Sequence, residues 1–277
     1  MGTGTTLEIV NLSDTGRKRP HNEDSCVTDA GLGLAVLADG MGGYKAGEVA
    51  SAIAVMQILV DVRDGLKKIR GGRDSHNVGP DGLTPTAHLV QQAVMAANRA
   101  VHHTAETEPQ CQGMGTTVVS TLFHGDKVTI AHVGDSRLYR MRGDSFQQLT
   151  SDHSLIQELI DRGFYTPEEA AQNTPKNLVT RALGIEPDVQ VDVREDTIQA
   201  GDIYLLCSDG LNDMVTDEEI RLTLGKYSAN LASAGAELIR LANANGGKDN
   251  ISVILVRPRT PVTTKRHWYE KFTDWFN

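Results

Sequence analysis

Acidic residues stand in this chain where apolar runs begin or end. LAVLADG at 34–40 and YLLCSDG at 204–210 both finish an apolar run on an Asp followed by Gly, giving Asp39-Gly40 and Asp209-Gly210. Asp249-Asn250 opens ISVILV, Glu23-Asp24 directly precedes SCVTD, and Asp135 follows TIAHV within HVGDSR. A carboxylate at the end of a rigid apolar strand is costly to desolvate unless it meets a cation, and the Gly beside it lets backbone carbonyls approach the same point. If several such ends converge, the resulting site is built of oxygen alone. Oxygen donors without a His or Cys cluster select hard cations such as Mg²⁺ and Mn²⁺ over zinc. Two such ions a few ångströms apart can hold a phosphoryl group and generate hydroxide near neutral pH. Asp-Gly is also among the commonest turn dipeptides, so each position taken singly reads as a turn, and only the set together leaves turns and a metal site equally open.

Positioning these carboxylates requires strands. Runs rich in Val, Ile, Leu and Thr at 32–39, 115–123, 127–134, 202–209 and 250–256 predict them. Val49, Ile53, Met56 and Val60, then Val90, Val94, Ala97 and Val101, repeat at helical spacing and predict a helix pair joined by a loop holding Gly71, Gly72, Gly79, Pro80 and Pro85. Thr166-Pro-Glu-Glu169 and Thr216-Asp-Glu-Glu219 match capping boxes, and a further helix is expected over Ser233 to Asn243, ended by Asn-Gly-Gly at 245–247. Strands that follow one another without intervening helices imply antiparallel sheets in a layered fold.

The chain has 277 residues, 39% hydrophobic and 23% charged, enough for a sizeable core. A net charge of -9 argues against a nucleic-acid binder, and no basic motif offsets it. Cys26, Cys111 and Cys207 are widely spaced, with no C-x-x-C pair, and read as reduced thiols. Neither a secretory leader nor a run of about 18 apolar residues occurs, so the expectation is a cytoplasmic protein without a transmembrane segment.

Taken together, the motifs resemble the metal-dependent serine/threonine protein phosphatases of type 2C in their bacterial form. GRKRPHNEDS at 16–25, ADGMGGYKAGEVAS at 38–51, MGTT at 114–117, AHVGDSRLYR at 131–140, LTSDHSL at 149–155, NLVTRALG at 177–184, GDIYLLCSDGLND at 201–213 and GGKDNISVILV at 246–256 carry the resemblance, in family order. It implies an α+β fold, a four-layer α-β-β-α sandwich of two antiparallel sheets flanked by helices, with a metal cleft at one end. The catalytic domain is expected over 1–257, with a flap at about 151–183 beside the cleft.

The resemblance also implies the roles at the site. Asp39 would bridge two Mn²⁺ or Mg²⁺ ions, Asp209 and Asp249 would complete one of them, and Glu23 with the Gly40 carbonyl would hold the other. Asp135 with Asp209 would bind a third, weaker ion. Asp24 would orient water, and Arg19, rather than its neighbour Arg17, would bind phosphate. The implied reaction is direct attack on phosphorus by a metal-bridging hydroxide, with no phosphoenzyme, on phosphoserine and phosphothreonine of proteins modified by a cognate kinase. The enzyme is expected to be a monomer. Where relatives place a histidine as general acid, this chain has Met41 and Tyr44. His132 and His153 stand near motifs, and His132, in an apolar run, reads as a core residue. Residues 258–277 fall outside the resemblance. Trp268, Phe272, Trp275 and Phe276 would share one helical face there, docking on the body or on a partner or membrane surface.

Overall fold

Period-two alternation in the apolar runs produces strands that bury both faces, each against a different layer. In the computed structural model, which describes residues 6–43, 46–71, 79, 82–166, 169, 170, 173 and 178–259, strand β3 (Leu34–Met41) shows the principle. Leu34, Val36 and Ala38 pack against helices α1 (Ala46–Gly71) and α2 (Pro85–Thr107), whereas Ala35 and Leu37 pack against the facing sheet. Strand β11 (Ile251–Pro258) does the same from the other side. Its Ile251, Val253 and Leu255 meet helices α5 (Asp217–Lys226) and α6 (Leu231–Ala244), while Ile254 and Val256 turn to the inter-sheet core.

The layers are therefore helix, sheet, sheet, helix. One sheet runs β2 (Asp24–Asp29), β3, β5 (Val118–His124), β6 (Lys127–Val133), β9 (Asp192–Thr197), with the short β4 (Gly115–Thr116) added to β3. The other runs β1 (Leu7–Asp14), β11, β10 (Ile203–Cys207), β7 (Arg137–Arg142), β8 (Ser145–Gln148). Every strand pairing described is antiparallel. Phe123 and Tyr204 meet edge to face between the sheets, with ring centroids 5.2 Å apart. Two short helices, α3 (Leu155–Asp161) and α4 (Asp209–Asn212), complete the labelled elements.

Local chemistry sets the helix starts. Thr84 caps α2 by accepting the Ala87 N–H at 3.2 Å, and Thr216 forms the expected capping box with Glu219 at the start of α5. Thr166 and Glu169 make the corresponding reciprocal pair, at 2.9 and 3.3 Å. Among the boundaries that differ from expectation are three helix starts. Pro85 is the first residue of α2 instead of a loop residue, a position where its missing N–H removes no helical bond. Asn230 caps the last long helix, which begins at Leu231 rather than Ser233. Asp209 opens the single turn α4, after β10 has ended at Cys207.

Tyr44, the loop at 72–78 and the aromatic segment 260–277 lie outside the described residues. Among the described residues, no helix is long and apolar enough to cross a membrane.

Candidate active site

Antiparallel pairing of β2 with β3 places Asp24 directly across from Asp39. Like charges in facing strand positions repel, so this register is unfavourable unless a cation or proton intervenes. The β10–α4 junction brings in Asp209, the approach to β11 brings in Asp249, and the turn after β6 brings in Asp135. Arg19, Glu23, Asp39, Gly40, Asp135, Asp209 and Asp249 all line one cleft of about 200 Å³, together with Met41, Thr117 and Val179. Asp24 stands behind that lining, its Oδ2 accepting the Ser208 hydroxyl at 2.8 Å.

The backbone around Asp39 is tightly held. Thr116 Oγ1 and the Thr117 N–H donate to the Asp39 carbonyl at 2.8 and 2.9 Å, and the Asp39 N–H donates to Thr117 Oγ1 at 3.1 Å. Gly40 packs so closely on the first turn of α1 that a Cβ there would lie 2.1 Å from the Gly47 carbonyl oxygen and 2.6 Å from that of Glu23. Asn250, which sequence reasoning passed over as the partner of Asp249, is a clamp. It accepts the Glu23 N–H at 2.8 Å and donates to the carbonyls of Thr15 and His21, both at 2.9 Å. A buried amide directly after a site carboxylate was the available signal.

Electrostatics at this cluster favour a positive guest. Desolvation, then repulsion from Asp24, Asp209, Asp249 and Asp135, pushes Asp39 well above the usual carboxylate range. Desolvation, then Asp135 and Asp249, does the same to Asp209. Burial raises Asp24 and Asp135 to about 6 and moves Glu23 upward. Asp24 Oδ1 and Asp209 Oδ1 are buried with no hydrogen-bond partner. Orphaned oxygens, an all-oxygen donor set and crowded carboxylates fit hard divalent cations, which reverse each of these penalties.

This crowding predicts an unusual pH dependence. Carboxylates with raised folded-state pKa values bind more protons folded than unfolded, so the cation-free chain loses stability as pH rises from about 4 to just above 6. For Asp24 or Asp135, a shift from 3.8 to about 6 corresponds to at most about 3 kcal/mol each. The buried His132 and His153, whose lowered values act in the opposite direction, are common to chelator and metal conditions, so the test is the gap in Tm between saturating Mn²⁺ and chelator, which should widen from about pH 5 to pH 7. A gap that stays constant or narrows across this range would contradict the mutual repulsion.

Arg19 donates to Asp249 Oδ2 at 2.7 Å, with its side chain 49% exposed at the cleft mouth. Arg17 is absent from the lining, and its backbone N–H is bonded to the Gly247 carbonyl at 2.7 Å. Neither candidate imidazole reaches the cleft. His132 and His153 are both buried, stacked with centroids 4.7 Å apart, and burial lowers both, His153 to about 4. Met41 does line the cleft, so no imidazole lines it among the described residues. Cys26, Cys111 and Cys207 are free and outside the lining; burial pushes Cys26 and Cys207 up to about 12.

Known proteins resemble this chain over most of its length. The family model described as "Protein phosphatase 2C" matches residues 17–255. "Serine/threonine protein phosphatase PstP" of Mycobacterium tuberculosis is 40% identical over 250 residues, covering 90% of this chain and 44% of that protein. The chain thus spans less than half the length of the mycobacterial relative. "Protein phosphatase PhpP" of Streptococcus pneumoniae is 37% identical over 253 residues, covering 90% of this chain and 97% of that one. A crystal structure of mycobacterial PstP superposes with a TM-score of 0.80 at 37% identity, covering 92% and 99% of the two chains. A second, of the PstP catalytic domain in complex with 2 manganese ions, gives 0.73 at the same identity and coverage.

Proposed function

This chain belongs to the protein phosphatase 2C family of serine/threonine protein phosphatases, and from that premise we propose that it removes phosphate from phosphoserine and phosphothreonine of protein substrates by direct attack of water on phosphorus. The observation that carries the reading is the convergence of Asp39, Asp209, Asp249, Glu23 and the Gly40 backbone on one cleft with Arg19 at its mouth.

In this reading Asp39 would contribute to holding two divalent cations. Asp209 and Asp249 would hold one with it, Glu23 and the Gly40 carbonyl would hold the other, and Asp135 with Asp209 would hold a third, weaker one. Manganese is the first candidate, given the related complex with that ion. When bound, such cations supply charge stabilisation at the phosphoryl oxygens and acidify water near neutral pH. The chain's own groups do the rest. The Gly40 and Asp39 backbones are fixed by α1 and by Thr116 and Thr117, so the carboxylates need not reorganise during reaction. Asp24, anchored by Ser208, would orient water through its second carboxylate oxygen, which has no hydrogen-bond partner. Arg19 carries a planar fork suited to phosphate oxygens.

No cysteine lines the cleft, which supports a single displacement over a thiol phosphoenzyme. Among the described residues the cleft lining offers no imidazole, which leaves water, or Tyr44 outside those residues, to give the leaving serine or threonine oxygen its proton. Substrates are proteins phosphorylated by a serine/threonine kinase, and the three free cysteines suit a reducing cytoplasm.

Phosphate release from a phosphothreonine peptide in Mn²⁺ tests the activity. Arg19→Ala is expected to raise KM for small phosphate esters about tenfold with a smaller change in kcat, because Arg19 binds phosphate in ground and transition states alike. Arg17→Ala should leave KM near its wild-type value. The opposite pattern would assign the phosphate to Arg17.

A further inference from the structure

The turn that presents Asp135 is gripped from outside the cleft by a residue that the reaction does not use. Gly134 has a φ of 104°, and a Cβ there would lie 2.7 Å from Thr117, so the turn accepts only glycine without rearrangement. The peptide units on both sides of Gly134 are bound by His153. The His153 N–H donates to the Gly134 carbonyl at 3.0 Å, and the Gly134 N–H donates to His153 Nδ1 at 3.0 Å. An accepting Nδ1 carries a lone pair, so the proton of the neutral ring is on Nε2, which stands 3.3 Å from the acceptor Asp192 Oδ2 and 3.0 Å from Arg181 Nη1.

Behind the ring, the two protons of Arg181 Nη1 go to Asp192 Oδ1 at 2.8 Å and the Gln190 carbonyl at 3.2 Å, so its 3.0 Å approach to Nε2 requires no lone pair there. His132 stacks on the other face and hydrogen-bonds through Nε2 to the Ser151 carbonyl at 2.9 Å. His132, His153 and Asp192 approach closely enough to hold a metal ion, but the Arg181 guanidinium already supplies a cation to Asp192. The cluster is therefore a brace for the turn between β6 and β7.

We infer that His153 is a positioning residue for Asp135: as the neutral Nε2–H tautomer, oriented by Asp192 and Arg181, it fixes the Gly134 peptide and so the direction of the next carboxylate. The role rests on the reading of Asp135 as ligand to the weakest of three cations. Losing the acceptor frees the 133–134 peptide, whose N–H the His153 side chain holds, to rotate about Gly134. That rotation reorients Asp135 while leaving Asp39 on β3, Glu23 at the approach to β2 and Asp249 at the approach to β11 in place.

Three measurements on the full chain decide it. NMR of ¹⁵N-histidine-labelled protein at pH 7 is expected to show His153 with Nδ1 unprotonated and Nε2 protonated; a protonated Nδ1 overturns the assignment. Calorimetric Mn²⁺ titration is expected to show the weakest site loosened about tenfold in His153→Leu, with the two tighter sites unchanged. His153→Asn, whose Oδ1 can accept in place of Nδ1, should restore most of that loss. Equal losses in both variants, an unchanged weakest site, or a wild-type isotherm without a third event would each overturn it. In an Asp135→Asn background, His153→Leu should cause no further change in Mn²⁺ binding, whereas additive losses would mean that His153 acts elsewhere. Should His153→Leu fail to fold, the NMR result and His153→Asn still decide. None of these readouts requires turnover. A chain that behaves as expected here but releases no phosphate contradicts the phosphatase reading alone.

Discussion

Asp39→Asn and Asp209→Asn are each expected to lower kcat for a phosphothreonine peptide by at least about a hundredfold in saturating Mn²⁺. Asn keeps the size of the side chain but removes the charge and one oxygen donor. Both carboxylates sit among others whose repulsion only a cation relieves. The same substitution should make the cation-free protein more stable, because it removes one of the repelling charges. Lower activity together with higher stability in chelator separates a ligand from a structural residue. Near-wild-type turnover in both variants would exclude the assignment of these two residues.

Gly40→Ala is expected to be nearly as damaging, for a steric reason. The new methyl would lie 2.1 Å from the Gly47 carbonyl oxygen and 2.6 Å from that of Glu23, both backbone atoms. No flexible side chain can move aside, so either the first turn of α1 or the strand end must shift. A shift of that kind typically costs about 1–3 kcal/mol in stability, and it displaces both the Gly40 carbonyl and Asp39. A fall in activity of about a hundredfold is expected, since misplacing reacting groups by about 1 Å has that effect. Gly43→Ala is the control, because a Cβ there meets nothing within 4 Å. Equal activity of the two variants would mean that the close approach at Gly40 has no bearing on the site.

What sequence could show depended on which force placed each element. Strands β3, β10 and β11 are buried on both faces, so their apolar runs stand out, and the carboxylates at their ends were visible as breaks in those runs. Strands β7 and β9 were not visible. RLYRMR and DVREDT carry charges whose partners lie far along the chain: Arg137 with Asp152, Arg142 with Asp202, Lys127 with Glu195. Charged residues on and near a sheet edge mask the alternation that identifies a strand. Asn250 and His153 escaped for a related reason. Their roles are hydrogen bonds to backbone atoms more than 15 residues away, which no local pattern encodes. Convergence of the carboxylates was an expectation from the family motifs, since Asp-Gly alone could equally mark a turn.

The most direct measurement is phosphate release from a phosphothreonine peptide by the chelator-stripped chain, followed while Mn²⁺ is titrated back. The account predicts no release above the uncatalysed rate in chelator, recovery with saturating Mn²⁺ or Mg²⁺, and no recovery in Asp39→Asn at the same concentrations. Full release by the stripped chain, or equal recovery in Asp39→Asn, would contradict it.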